Sequence, residues 1–435
     1  MWWNLIALLM ATPPQMDLAA VAARAREVSH AAKREGAAVD LARAERRRNL
    51  QRLNPALGVS ARYTRISEED PIVIDPGIPG VSVSIPGPKP DQWAFGFSAS
   101  FPLSDWLTRR AAIEDASGSA VAASQALERA AERRASLEAV LAHLNLIRIV
   151  RAEEVARQSL ADAERRQTEV QKRIEARLAS NADLRLAEVD LAERRQGLAS
   201  LAHKKRLVLT QLSALLDLQA FSVESFVLEL PPSTATSKGA DGDLEALLED
   251  AWRQRPEPQA LSEQARALSA RSRLAGVQRL PRLDLAAQVQ LVDPNPRTIG
   301  QSSGLVGIWD VSAIVSWSLD GLWKAETDER GLAAERAALE ADRRALDDGL
   351  RLEIASALSS LADARSQRDS AEAMIAAASE GYRVRLALFQ SSLATATELA
   401  EAETRLASAR LALVDAEVDL RVAQALLDHA LGRPL

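Results

Sequence analysis

Hydrophobic and polar positions along this chain follow two periods. Over Trp93 to Leu103, "WAFGFSASFPL", every second residue is apolar. Trp93, Phe95, Phe97, Ala99, Phe101 and Leu103 fall on one face, with Ala94, Gly96, Ser98, Ser100 and Pro102 on the other. Side chains alternate across a strand, so the stretch predicts a strand with one greasy face. Three further segments repeat the pattern: Leu57, Val59, Ala61 and Tyr63 in "ALGVSARYT"; Leu283, Leu285, Ala287, Val289 and Leu291 in "RLDLAAQVQL"; and Trp309, Val311, Ala313, Val315, Trp317 and Leu319 in "WDVSAIVSWSL". The rest of the chain is rich in Ala, Leu, Arg and Glu and reads as helix.

Residues 17–52 and 244–279 predict helices that stop just before Pro55 and Pro281, because proline ends a helix. Long helices are expected over 107–176 and 325–391, about 100 Å each at 1.5 Å per residue. Shorter ones follow over 183–217 and 398–431. In the last, Leu399, Leu406, Leu413, Leu420 and Leu427 recur every seventh residue, and Ala402, Ala409, Ala416, Ala423 and Ala430 lie three behind. A strict heptad signals coiled-coil packing, with Ala letting helices approach closely.

The two halves of the chain match. Asp17-Leu18 corresponds to Asp243-Leu244 and Pro55 to Pro281 at an offset of about 226, whereas Trp93 pairs with Trp309 and Phe101 with Trp317 at about 216. A longer Pro/Gly-rich loop over 66–92 accounts for the difference. The expected organisation is an N-terminal segment 1–16, a first repeat 17–218, a linker 219–243 and a second repeat 244–435. Strands are expected at about 56–65, 93–103, 282–292 and 308–319. The N-terminal stretch "MWWNLIALLMATPPQM" carries an apolar run of roughly ten residues, about half as long as a membrane-spanning helix needs. It reads either as a short export signal, though no Lys or Arg precedes it, or as an ordinary N-terminal segment.

Composition narrows the function. The 54 basic and 60 acidic residues are mixed through the same segments, which describes solvated helix faces and gives no basic patch for nucleic acid. Cysteine is absent, excluding disulfides, thiolate metal sites and cysteine catalysis. His30, His143, His203 and His429 are scattered without ligand spacing, so no metal site is expected. No Gly-rich phosphate loop and no catalytic grouping stands out, and paired acids such as Glu153-Glu154 read as solvated faces. The expectation is a protein without cofactor that is not an enzyme.

Four strands of about ten residues have the length of a tilted bilayer crossing. Five of the eight Trp, at 93, 106, 309, 317 and 323, lie in or beside them, as interfacial girdles do. The alternative is a sheet that packs its apolar face on protein. Four strands cannot close a barrel, and an open edge cannot sit in lipid, so the membrane reading requires several chains to share one sheet. Trp93, Phe95, Phe97, Phe101, Trp309 and Trp317 then face lipid.

The duplicated plan, "LNPALGVSARY" and "LPRLDLAAQV" before the strands, "RLASNADLRLAEVDL" and "SLATATELAEAETRL" between helices, and the closing "AQALLDHALG" together resemble the TolC-like outer-membrane efflux ducts over residues 17–433. The resemblance implies a fold that is mainly α with a small β part: a duplicated long-helix coiled-coil barrel plus four transmembrane β-strands per chain that complete a shared barrel in a trimer. It also implies passive export through the outer membrane, with a long periplasmic helical extension, a periplasmic adaptor and an inner-membrane pump as partners. A periplasmic adaptor protein and a soluble coiled-coil scaffold are the competing readings. The whole-chain duplication with two apolar hairpins speaks against the first.

Between the long helix and its successor, Ser180 to Asp183 and Thr395 to Glu398 each fit a capping box, in which hydroxyl and carboxylate satisfy free backbone N–H groups. That structural role stands beside the one the resemblance implies. There Glu398, Glu401 and Asp183 belong to the periplasmic constriction, and Arg177, Leu178, Ser180, Ser392, Leu393 and Thr395 to the adaptor-docking tips. Glu398 and Glu401 share a helix face. Repeated in a trimer they would form a cation-attracting ring. The chain departs from the family where glycine is usual, at Arg177 and Ser392, and where a gate Arg and a gate Tyr are replaced by Ala394 and Phe389.

Overall fold

The computed structural model describes residues 15–74, 76–85, 87–218, 222–230, 243–298 and 304–435. The expected export segment, but for its last two residues, and much of the expected linker lie outside them. The described residues are mainly helical, with nine α-helices and six strands. Two compact units cut across the sequence repeats: one combines Met1–Ala38, Ser124–Ala260 and Asp342–Leu435, the other Val39–Ala123 and Leu261–Ala341. Each repeat therefore contributes to both.

The helical unit is built from α1 (Leu18–Val28), α5 (Asn181–Leu216), α6 (Leu244–Gln254), α9 (Ala396–Ala430) and the larger parts of α4 (Arg110–Glu175) and α8 (Asp320–Gln390). Its core consists of two matching clusters. Val21, Ala25, Ala139, Ala142, Leu146, Val208, Leu212 and Leu216 fill one. Leu247, Ala251, Ile354, Ala357, Leu361, Ala423, Leu427 and Leu431 fill the other. The positions correspond one to one at the two offsets seen in the sequence, so the same three-helix packing is made twice. On α9, Leu399, Leu406, Leu420 and Leu427 are buried together with Ala409, Ala416, Ala423 and Ala430, which is the heptad seam. A third cluster joins the repeats, setting Ala22, Val140, Leu144 and Ile147 against Val418 of α9.

The helices expected to run unbroken over 17–52 and 244–279 are each interrupted. In the first, Ser29 leaves helical geometry (φ −51°, ψ 124°) and its hydroxyl accepts the Ala32 N–H at 3.3 Å, ending α1 and starting α2 (His30–Gln51). In the second, Arg255 precedes Pro256, which excludes helical geometry there. Arg255 is extended (φ −76°, ψ 144°), so α6 stops and α7 (Pro256–Val277) begins with proline in its first turn. The freed Arg255 side chain is buried and donates to Glu257 (2.9 Å) and Glu353 (2.7 Å). Paired in this way, its charge is tolerated beside the core.

The other unit holds the sheet. Strands β1 (Ala56–Arg65), β4 (Asp91–Phe101), β5 (Arg282–Asp293) and β6 (Val306–Ser316) are antiparallel in that order. A small ribbon, β2 (Ile72–Ile74) with β3 (Val83–Ile85), lies within the first loop, and α3 (Leu103–Thr108) follows β4. The second and fourth strands begin two residues earlier than the alternation suggested and end at Phe101 and Ser316. Pro102, which lacks an N–H, ends the ladder on β4.

Candidate functional site

The register turns alternation into continuous rows. Val59 opposes Phe97, Phe97 opposes Val289, and Val289 opposes Trp309; the next rows are Leu57, Ala99, Ala287 and Val311, then Ala61, Phe95, Leu291 and Gly307. A one-residue slip in any pair would scatter these rows, so the pattern and the pairing support each other. This face is open. Val59 is 86% exposed, Phe97 49%, Trp309 69% and Val315 70%. Trp93 and Phe95 are also exposed, Phe101 is half-buried against the Trp106 ring 6.3 Å away, and exposed Trp317 donates its indole N–H to the Arg279 carbonyl. The reverse face carries Gly58, Ser98, Gln288 and Asp310 in one row, with Gln288 donating to Asp310 at 2.7 Å. Both outer strands, β1 and β6, keep one edge unpaired within the sheet.

The second set of predicted residues lies where the helical hairpins turn. Arg177 and Ser392 sit at φ 60° and 63°, in the left-handed region. Each follows a helix C-terminus: Leu178 N–H reaches back to Arg173 O (2.7 Å) and Leu393 N–H to Leu388 O (2.8 Å). These are Schellman closures, a geometry that favours glycine at the left-handed position. Leu178 and Leu393 project into solvent, 69% and 76% exposed. The capping boxes then start the next helices. Ser180 N–H donates to Asp183 Oδ2 (2.9 Å) and Asp183 N–H to Ser180 Oγ (3.2 Å); Thr395 and Glu398 make the same pair of bonds at the same two lengths.

Both capping carboxylates are held below their usual range, Asp183 first by the Ser180 hydroxyl and Glu398 first by the Thr395 N–H. Glu398 also accepts from Arg385 at 3.2 Å, and Glu401 lies 3.8 Å from Arg405. All four line one groove of about 860 Å³ between α8 and α9, together with Tyr382 and Leu388. Glu398 and Glu401 are thus brought together, each with an arginine partner, while Asp183 caps the other hairpin.

Sequence reasoning missed an ionic ladder between α4 and α9. Arg148 bonds Asp419, Arg151 bonds Glu417 (2.6 Å), Gln158 accepts from Arg410 (3.1 Å) and Arg166 bonds Glu403. Arg166 is 2% exposed and also bonds Asp190 of α5, and Arg194 adds Asp190 and Thr404. Nearer the turns, the Arg173 guanidinium stacks 3.7 Å from the Phe389 ring centre and donates to the Phe389 carbonyl (2.6 Å). Glu153, expected on a solvated face, is instead buried with Arg157 and Lys205 as partners. In so charge-rich a sequence these residues carry no separate signal.

Residues 20–217 match the outer membrane efflux protein family. The fold extends the likeness to both repeats. The outer-membrane channel OprN superposes with a TM-score of 0.78 at 20% identity, covering 95% of this chain and 89% of its own. The outer membrane protein VceC of Vibrio cholerae gives 0.75 at 20%, covering 96% of each chain. The open state of the MtrE outer membrane channel of Neisseria gonorrhoeae gives 0.70 at 17%, covering 96% and 89%. No curated protein sequence matches. OprN and MtrE are outer-membrane channels and VceC is an outer membrane protein, and this chain has their fold.

Two outcomes are expected from the hairpin region. Replacing Arg177 or Ser392 with Gly relieves left-handed strain and should raise unfolding free energy by about 1 kcal/mol each. Arg166→Leu strands two acids and should cost about 3 kcal/mol or more, whereas adding Glu403→Leu should recover part of it. Denaturant titration of the four-variant cycle checks this, and simple additivity would show the pair is uncoupled.

Proposed function

We propose that the chain is the outer-membrane channel of a tripartite export system, acting as a homotrimer. The observation that carries this reading is the exposed apolar face of a sheet with two open edges. Rings and branched side chains exposed in unbroken rows have no place in water, and unpaired edges have none in lipid, so lipid on one face and a further copy at each edge satisfy both. The dimensions agree. From the level of Tyr63 and Trp93 to Trp317 is about twelve residues, or about 40 Å of strand, which at a tilt of about 40° gives about 30 Å of height, close to a bilayer core.

Three copies supply twelve strands, with the row of Gly58, Ser98, Gln288 and Asp310 turned to water. Transport is passive, and an adaptor and an inner-membrane pump supply direction and energy. The exposed Leu178 and Leu393, each beside a strained Arg177 or Ser392, present the adaptor with paired apolar knobs, with Ser180 and Thr395 behind them. Glu398 and Glu401 supply six carboxylates at the periplasmic mouth, partly offset by Arg385 and Arg405. Asp183 stiffens the neighbouring hairpin.

The absence of cysteine makes the oligomer directly testable. Ser60→Cys on β1 combined with Ser312→Cys or Asp310→Cys on β6 should give oxidised dimers and trimers that resist SDS, from protein that fractionates with the outer membrane. A detergent-free monomer with no cross-link would overturn the assignment. In planar bilayers, Glu398→Gln with Glu401→Gln should lower cation preference; unchanged selectivity would remove these two residues from the constriction.

A further inference from the structure

The segment Ser222–Leu230, between the two repeats, is fastened to the helical unit at several points. Met16 N–H donates to Ser225 O and Val227 N–H to Met16 O, both at 2.9 Å, forming a parallel bridge. Leu228 and Leu230 pack on the cluster that joins α1, α4 and α9. Against this strap lies His143 of α4, fully buried, with Nε2 3.0 Å from the Val227 carbonyl and its ring 5.4 Å from that of Phe226.

A carbonyl only accepts, so Nε2 carries the proton and Nδ1 is left as a lone pair. Nδ1 is buried with no hydrogen-bond partner among the described residues. A second proton would therefore place a cation in a fully buried site beside the Phe226 ring with nothing to receive its N–H. The charged groups around it offer little relief. Asp17 at the start of α1 acts on the ring from a distance, but its carboxylate already accepts the Ala20 N–H at 2.7 Å. On the strap, Glu224 and Glu229 are exposed; on α4, Arg148 bonds Asp419 of α9; on α5, Lys205 bonds Glu153.

We propose that His143 is an acid-sensitive fastener, whose protonation releases the strap Ser222–Leu230 from α4. Burial pushes the His143 imidazole below its usual range, opposed by the bond to Val227. Its protonation is therefore favoured in the released state, where the ring titrates near its ordinary value of about 6.5. Attachment is at full strength above that pH and weakens as pH falls through it, by up to about 30-fold at pH 5. The chain between the repeats is thereby coupled to the acidity of the surroundings, independently of what the channel carries.

Hydrogen exchange on the purified full chain in detergent, at pH 7.5 and 5.0 and corrected for chemical exchange rates, tests the proposal. Opening of residues 222–230 should become about 30-fold more populated at pH 5 in the wild type. His143→Gln keeps an amide donor for the Val227 carbonyl and does not titrate, so its strap should be indifferent to pH, whereas His429→Gln should respond as wild type does. Equal wild-type protection at both pH values, or the same acid loss in His143→Gln, would overturn it. Slow exchange at the imidazole C–H of His143 in the wild type gives a second reading, and a titration at or above 6.5 with the strap closed contradicts the proposal.

Discussion

An apolar surface in a sheet that cannot close is the constraint around which the rest is organised. Val59, Phe97, Val289 and Trp309 form one row of several, and exposing such rows to water costs about 25 cal/mol per Å² of apolar area. A helix from the same chain could cover them, but among the described residues of this sheet unit none does, and the exposures stay high. In the reading proposed above, the sheet's stability is completed from outside, by lipid on the face and another copy at each edge.

The helical unit solves the opposite problem. Its elements are rich in Ala, Arg and Glu, which makes good helices and poor cores. Burial is concentrated on narrow seams such as Leu399, Leu406, Leu420 and Leu427, with Ala residues allowing close approach. The two three-helix clusters use the same positions in each repeat, so one packing solution serves twice. Small differences between the copies show where sequence is free. The same helix break is made by Ser29 through a side-chain cap and by Arg255 through the proline that follows it.

Much of this was legible in the sequence, for physical reasons that differ by element. Strand alternation is a strong signal because each inward or outward position repeats every two residues, and the four strands were placed within a few residues of their ends. Capping boxes were readable because both partners lie within four residues. The break at Arg255 is legible in Pro256, which excludes helical geometry at the residue before it. The ladder from Arg148 to Glu403 was illegible, since its partners lie more than two hundred residues apart among dozens of similar charges. Glu153 was misread for the same reason: burial of a charge is decided by a distant lysine, here Lys205. The left-handed backbone at Arg177 and Ser392 was visible only as a departure from a family's glycine, because neither residue favours that conformation.

The charged ladder answers a difficulty that the seam itself creates. A Leu and Ala pattern repeating every seven residues fits nearly as well after a slip of one heptad, so apolar packing alone leaves the alignment of α4 against α9 loosely determined. The ionic contacts do not survive such a slip. Arg148 meets Asp419, Arg151 Glu417 and Arg166 Glu403 in a single antiparallel alignment, and a shift by seven would take Glu403 from the buried Arg166 and leave Asp190 of α5 as its remaining acid. Burying that guanidinium contributes little net stability, since desolvation offsets much of the attraction. Its effect lies in the difference between the correct alignment and its neighbours, because the misaligned state strips one of the two acids from a buried guanidinium. Apolar seams supply the binding energy between the hairpins, and the arginines select the register in which it is realised.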